Sequence, residues 1–119
     1  MIDTITTFGT TKVLVVSPDG PSLGSEQSAV DLIGATYGQE IDLIALPVSR
    51  LGADFFQLRT GVAGAFIQKF MNYSYRLAIV GDISTYTANS QPLRDFVYES
   101  NKGKQVAFVP DLDALAAKL

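Results

Sequence analysis

Between Thr60 and Tyr73 the apolar side chains fall at Val62, Ala63, Phe66, Ile67, Phe70, Met71 and Tyr73. Steps of three and four are the helical period, and the wide stripe suits a helix lying on a sheet. At about 100° per residue, Gly61, Ala65, Gln68, Lys69 and Asn72 share the opposite face, with Gly64 alongside. The small residues at its N-terminal end would let another chain approach closely, or would simply accommodate a neighbouring loop. The helix start has two signals. Asp54 and Gln57 have capping-box spacing, whereas Thr60 could cap a helix that starts at Gly61. A short turn over Phe55–Leu58, a break and a longer helix would satisfy both. In either case the Thr60 hydroxyl lies near unpaired N–H groups and the positive end of a helix dipole.

Ile2 to Phe8 is rich in Thr and β-branched residues, and Lys12 to Val16 is continuously apolar after its Lys. With Gly9-Thr10 between them, they predict a hairpin whose second strand is central. Ser17 to Ser25 is the longest breaker-rich segment. Ser25 then caps a helix with Ala29, Val30, Leu32, Ile33 and Tyr37 on one face, stopped by Gly38. Ile41 to Leu46 is the third strand, closed by Pro47, and Arg76 to Val80 the fourth, ending at Gly81-Asp82. Ile83 to Asn89 is a polar loop. Ser90 or Asn89 caps a helix with Pro92 in its first turn and Leu93, Phe96 and Val97 inward; Asn101 and Gly103 end it. Gln105 to Val109 is the fifth strand, and Pro110-Asp111 opens a last helix carrying Leu112, Leu115 and Leu119. The order ββαβαβαβα predicts one α/β domain on a mixed, mostly parallel sheet of about five strands with right-handed crossovers.

Composition narrows the chemistry. The 119 residues suffice for one domain with its own core. Apolar residues make up 47% and charged residues 18%, a folded and not a disordered balance. A net charge of −3 with scattered Lys and Arg argues against a nucleic-acid surface. With no Cys there is neither a disulfide nor a thiol nucleophile. With no His, a Ser-His-Asp triad and a His-ligated zinc are excluded within one chain. Met1-Ile2-Asp3-Thr4 is not the start of a signal peptide, and no apolar run approaches a membrane span. The expectation is a cytoplasmic protein without a metal or other cofactor and without a membrane partner.

In sheets of this kind ligands bind beyond the carboxyl ends of the strands. Asp19, Ser49, Arg50, Asp82 and Asp111 fall there. The three carboxylates could converge on a hard cation, or each could be an ordinary turn or cap residue. The Gly/Ser-rich loop before the first helix carries neither a dinucleotide fingerprint nor a Walker pattern. Tyr37, Tyr73, Tyr75, Tyr86 and Tyr98 could line a small-molecule pocket. Otherwise Tyr37 and Tyr73 help pack helix ends, and Tyr86 and Tyr98 are half-exposed.

Two resemblances rest on particular residues. Ser25-Glu26-Gln27 with Asp31-Leu32-Ile33-Gly34, and Asp54 to Gly61 with Ala63-Gly64, begin the first. Gln68-Lys69-Phe70 with Asn72-Tyr73, and Leu77 to Ile83, continue it. Leu93 to Val97 with Glu99-Ser100-Asn101, and Phe108-Val109-Pro110-Asp111, complete it. Over nearly its whole length the chain resembles the bacterial family catalogued as domain of unknown function 4180, which implies no established activity. More distantly, the order of elements is similar to that of the STAS domain of anti-sigma-factor antagonists. There a strand leads into an Asp-Ser-Ser-Gly-Leu-Gly turn, a helix, and a strand ending in Gly. Arg59-Thr60-Gly61-Val62-Ala63-Gly64 stands at that turn, so the resemblance implies that the phosphorylated Ser of that family falls on Thr60. Arg59 replaces a small hydroxyl residue, and the preceding Asp is not matched in register.

The expected function is a non-enzymatic regulatory module that binds an unidentified protein partner. Its candidate residues are Arg59, Thr60, Gly61, Gly64, Ala65 and Gln68. The alternative is a small-molecule or nucleotide binder that uses the crevice of Asp19, Ser49, Arg50, Asp82 and Asp111. An enzyme would need an Asp or Lys base or a metal. Self-association through the outer helix faces is compatible with each reading.

Overall fold

The β-branched and apolar runs of the chain become the strands of one sheet in the computed structural model, which describes residues 3–119. The strands are β1 (Thr4–Phe8), β2 (Thr11–Val15), β3 (Leu43–Pro47), β4 (Arg76–Val80) and β5 (Val106–Val109). The helices are α1 (Glu26–Ala35), α2 (Val62–Asn72), α3 (Ser84–Thr87), α4 (Gln91–Lys102) and α5 (Leu112–Lys118). Ile2, the expected start of the first strand, lies outside the described residues. The sheet order is β1-β2-β3-β4-β5. β1 runs antiparallel to β2 and every other neighbouring pair is parallel, so the sheet is mixed and mostly parallel as expected.

Strand side chains alternate between the two faces. Ile44, Leu46, Leu77, Ile79 and Phe108 share one core with Ala29, Leu32 and Ile33 of α1, Phe66, Ile67 and Phe70 of α2, and Leu93 of α4. On the other face Val13, Leu43, Ala45, Ala78 and Val109 pack around Leu115 of α5. Among the described residues no helix is long and apolar enough to cross a membrane.

Helix starts follow the expected capping chemistry in three places. The Ser25 hydroxyl accepts from the Ser28 N–H at 3.1 Å, and that of Ser90 from the Leu93 N–H at 3.2 Å. The Asp111 carboxylate accepts from the Ala114 N–H at 2.8 Å. Elsewhere the structure differs from the sequence reading. The polar stretch Ile83–Asn89 contains the short helix α3, seated by Ile83 and Tyr86 against the core. Pro47 ends β3 instead of following it, since its ring needs only that no partner require its missing N–H. Asp54 forms no capping box. It lies inside a 3₁₀ turn, Ala53–Phe56, whose N-cap is Gly52 without a side-chain bond. A second 3₁₀ turn, Leu58–Thr60, follows before α2.

These turns are held by aromatic packing. Phe55 meets Phe56 and Phe66 edge-on at 5.2 and 5.4 Å between ring centroids, and Phe66 meets Phe70 at 5.1 Å. Phe56 stacks on Tyr86 at 4.3 Å. The chain of rings ties the segment after β3 to α2 and α3, with a gain of about 0.5–1.5 kcal/mol per pair beyond area burial.

The free edge of β5 is closed by a side chain. Asn101 of α4 accepts the Phe108 N–H at 2.7 Å and donates to the Phe108 carbonyl at 3.3 Å. One amide thus imitates the next strand at a partly buried edge. Asn101→Ala is expected to cost about 2 kcal/mol, because it strands both groups of Phe108. Chemical denaturation, compared with the exposed control Asn72→Ala, checks this; equal losses would assign Asn101 no such role.

Candidate functional site

The start of α2 is open. Gly61 is its N-cap with φ +77°, a conformation that favours glycine. A Cβ added at Gly61 or at Gly64 would meet no neighbouring atom within 4 Å. Among the described residues, therefore, Gly61 and Gly64 do not make room for another loop. Gln68 is exposed and donates to the Asn72 side chain along the same face. Lys69 is drawn instead to Glu26 of α1, at 3.3 Å, which marks the side on which α1 bounds the face. The Thr60 hydroxyl contacts the carbonyls of Gln57 at 2.8 Å and Asp54 at 3.0 Å, and accepts from the Val62 N–H at 3.2 Å. It thus locks the turn and satisfies one orphan donor of the helix. Arg59 is exposed and forms no ion pair among the described residues.

The carboxyl ends of the strands are more fully occupied. Arg50 is 8% exposed. Its Nη1 donates to the Ser17 and Asp19 carbonyls, and its Nε to the Pro21 carbonyl, at 2.8–3.0 Å. Ser49 donates to the Pro18 carbonyl at 2.9 Å. Both residues therefore hold the breaker-rich loop by its backbone. Gly20 is forced by the same arrangement, for a Cβ there would lie 2.8 Å from the guanidinium carbon. Asp19 and Arg50 share the wall of a pocket of about 440 Å³. Asp82 turns to its own chain and accepts the Ser84 N–H at 2.8 Å. That bond, with a contribution from the Ser84 side chain, lowers its pKa. The stabilisation it brings is complete above the ordinary carboxyl range and is lost as the pH falls through the lowered value. Asp111 caps α5. Among the described residues no three acidic groups gather in a way that could hold a metal ion, so the carboxylates do not converge.

Two pockets lie apart from these residues, and they divide four of the five tyrosines that the sequence offered as the lining of one small-molecule pocket. Beside Arg59, a pocket of about 490 Å³ is lined by Phe56, Gln57, Tyr86, Asn89 and Ser90. Its walls come from the 3₁₀ turns, expected as one short turn over Phe55–Leu58, and from α3 and the residues after it, expected as a polar loop. At the amino ends of β3 and β4 a larger pocket, about 770 Å³, is lined by Tyr37, Tyr73 and Tyr75. Tyr37 and Tyr73 do not pack helix ends. They are 86% and 59% exposed, because α1 and α2 finish before them. Tyr98 is also largely exposed, at 64%, while Tyr86 is partly covered by its stack on Phe56.

Arg50→Met is expected to cost about 2–3 kcal/mol in denaturation, since the buried Ser17 carbonyl and the part-buried Asp19 and Pro21 carbonyls lose a charged donor. It should also accelerate amide exchange at Leu23, whose N–H is bonded to the Arg50 carbonyl. Gly61→Ala is expected to cost about 1–2 kcal/mol, because φ is positive there. Gly64→Ala, in open helix, is expected to gain about 0.5–1 kcal/mol. Opposite signs three residues apart, read from the same melts, check the geometry of the helix start.

The family model described as a domain of unknown function (DUF4180) matches residues 8–119. No curated protein and no solved structure matches the chain. With the match running from the last residue of β1 through α5, the chain belongs to the DUF4180 family.

Proposed function

We propose that the chain is a non-enzymatic interaction module of STAS type, which docks a partner protein on the Thr60 turn and the N-terminal half of α2. The observation that carries this reading is the open space over Gly61 and Gly64. Small residues at an exposed helix start allow close backbone approach, and among the described residues no other segment takes that place. Ala65 and Gln68 continue the surface, and Arg59 stands at its entrance. The order of elements and the position of Thr60 support the STAS likeness.

Phosphate on Thr60 is the proposed switch. It would add about −1.5 to −2 charge beside the Val62 N–H and the exposed Arg59. It would also remove the hydroxyl proton and so set the anion against the Asp54 and Gln57 carbonyls. The modification would therefore loosen the Leu58–Thr60 turn and re-shape the docking surface, while the core of α2 stays in place. The strand-end crevice supports its own reading less well, since Ser49 and Arg50 are already engaged by backbone carbonyls.

A photo-crosslinker at Gln68, used in the native host, tests the surface. The expected result is a crosslinked protein that is lost when Ala65→Arg is added and unaffected when Asn72→Ala is added. Ala65 is half-buried, so Ala65→Arg is expected to cost up to about 1 kcal/mol while the domain stays folded, which a thermal melt checks. An identical crosslinking pattern with and without Ala65→Arg would show the surface to be wrong.

A further inference from the structure

The pocket at the amino ends of β3 and β4 lies at the opposite end of the sheet from the strand-end crevice. α1 and α2 both finish beside it. α1 ends at Ala35 before Tyr37, and α2 ends at Asn72 before Tyr73. The chain then turns sharply, with Gly38 at φ +81° and Ser74 at φ +61°. A left-handed conformation at a non-glycine residue is a constrained one. It places Tyr73 and Tyr75 on either side of Ser74, and all of these residues line the same pocket with Tyr37. Tyr75 is fixed by a hydrogen bond of 2.8 Å between its hydroxyl and that of Thr36, which is 1% exposed. Ile33 and Ile41 add apolar wall.

The charges of this pocket are arranged unevenly. Helix C-termini carry the negative end of the dipole, and two of them meet here. Asp42 lines the pocket and forms no ion pair among the described residues. One of its oxygens accepts the backbone N–H of Lys12, while the Lys12 ammonium is bonded to the Gln39 carbonyl. The cation on the wall is Arg76, whose Nε donates to the Lys104 carbonyl. Lys104 precedes β5, so Arg76 is drawn to the β5 side of β4, whereas Asp42 precedes β3 on the other side.

We propose that this pocket binds a small organic cation of the methylated-ammonium type. Tyrosine faces attract such cations without needing hydrogen bonds from them. Asp42 and the two helix ends supply the counter-charge. The shared chemistry is the trimethylammonium group, which occurs in an alcohol such as choline or in a zwitterion such as glycine betaine. A carboxylate on the ligand would reach for Arg76.

Isothermal titration of the full chain with choline, with glycine betaine and with 3,3-dimethylbutan-1-ol, the neutral carbon isostere of choline, tests the proposal. The expected result is saturable binding of at least one cation, with the isostere weaker by about tenfold or more. Tighter binding of betaine would support an Arg76 contact, and tighter binding of choline would support recognition of the cation alone. Tyr73→Ala is expected to weaken the cation about tenfold with the melting temperature unchanged, because that ring is 59% exposed. Asp42→Asn is expected to weaken the cation and leave the isostere unaffected. Failure of both cations to saturate, equal binding of the isostere, or unchanged binding by Tyr73→Ala would overturn the proposal.

Discussion

Each strand of this sheet lies beside the one before it in sequence. Right-handed crossovers between parallel strands laid down in one direction must all fall on the same face. That constraint places α1, α2 and α4 over one side and leaves the other to α5, which is not a crossover and is free to choose. The side chains record the asymmetry. Under the helical layer stand Ile44, Leu46, Leu77, Ile79 and Phe108, large enough to fill the space beneath several helices. Under α5 stand Ala45 and Ala78, small enough for one short helix to lie close, and Leu115 shares their cluster with Val13. α2 occupies the middle of its layer, and its Phe66 is the ring to which the turns after β3 are fastened through Phe55.

The same construction makes the two ends of the sheet unlike. At the carboxyl ends the loops are short of room and are fixed from within. Arg50 is a buried cation answered by three carbonyls and no carboxylate. Such a group is tolerable only when its donors are satisfied, and the backbone of Ser17–Pro21 provides for this. Gly81 adds to the constraint, with φ +141° and a hypothetical Cβ only 2.9 Å from Val48. At the amino ends the connections from α1 and α2 pass through left-handed residues, Gly38, Glu40 and Ser74, and the rings of Tyr37 and Tyr73 are largely exposed. A binder of this architecture is expected to use the carboxyl ends; here the polar groups that would serve there are largely spent on holding the loops.

Much of the fold was legible in the sequence because the helical period was written cleanly and the buried strands stood out as short continuous apolar runs. The apolar runs around Leu14, Ile44, Leu77 and Phe108 marked the strands, and Ser25, Ser90 and Asp111 marked helix starts with side chains that do cap. What was illegible depended on distant contacts. Asp54 and Gln57 had capping-box spacing, but Phe55 and Phe56 are pulled into the core as a 3₁₀ turn, and tertiary packing overrode the local signal. α3 was hidden because Ile83 and Tyr86 are too few to show a period. The roles of Arg50 and Asn101 could not be read at all. Both donate to backbone from more than one turn away, and a charged or amide side chain gives no hint of which carbonyl it will find.

The candidate site was legible only as a set of residue types. Thr60, Gly61 and Gly64 lie together as the helical period requires. The structure adds that, among the described residues, nothing stands over Gly61 or Gly64. Asp82 shows why a carboxylate at a strand end is weak evidence for chemistry. Its one strong bond is to the Ser84 N–H, and the resulting fall in pKa makes it a poorer base, opposite to the shift a general base near neutral pH requires. A chain without His or Cys has few other groups to tune. Its polar side chains at the carboxyl end are turned inward to backbone, while its open surfaces carry small residues and tyrosines. The two proposals rest on those surfaces, the small residues at one end of α2 and the tyrosines at the other.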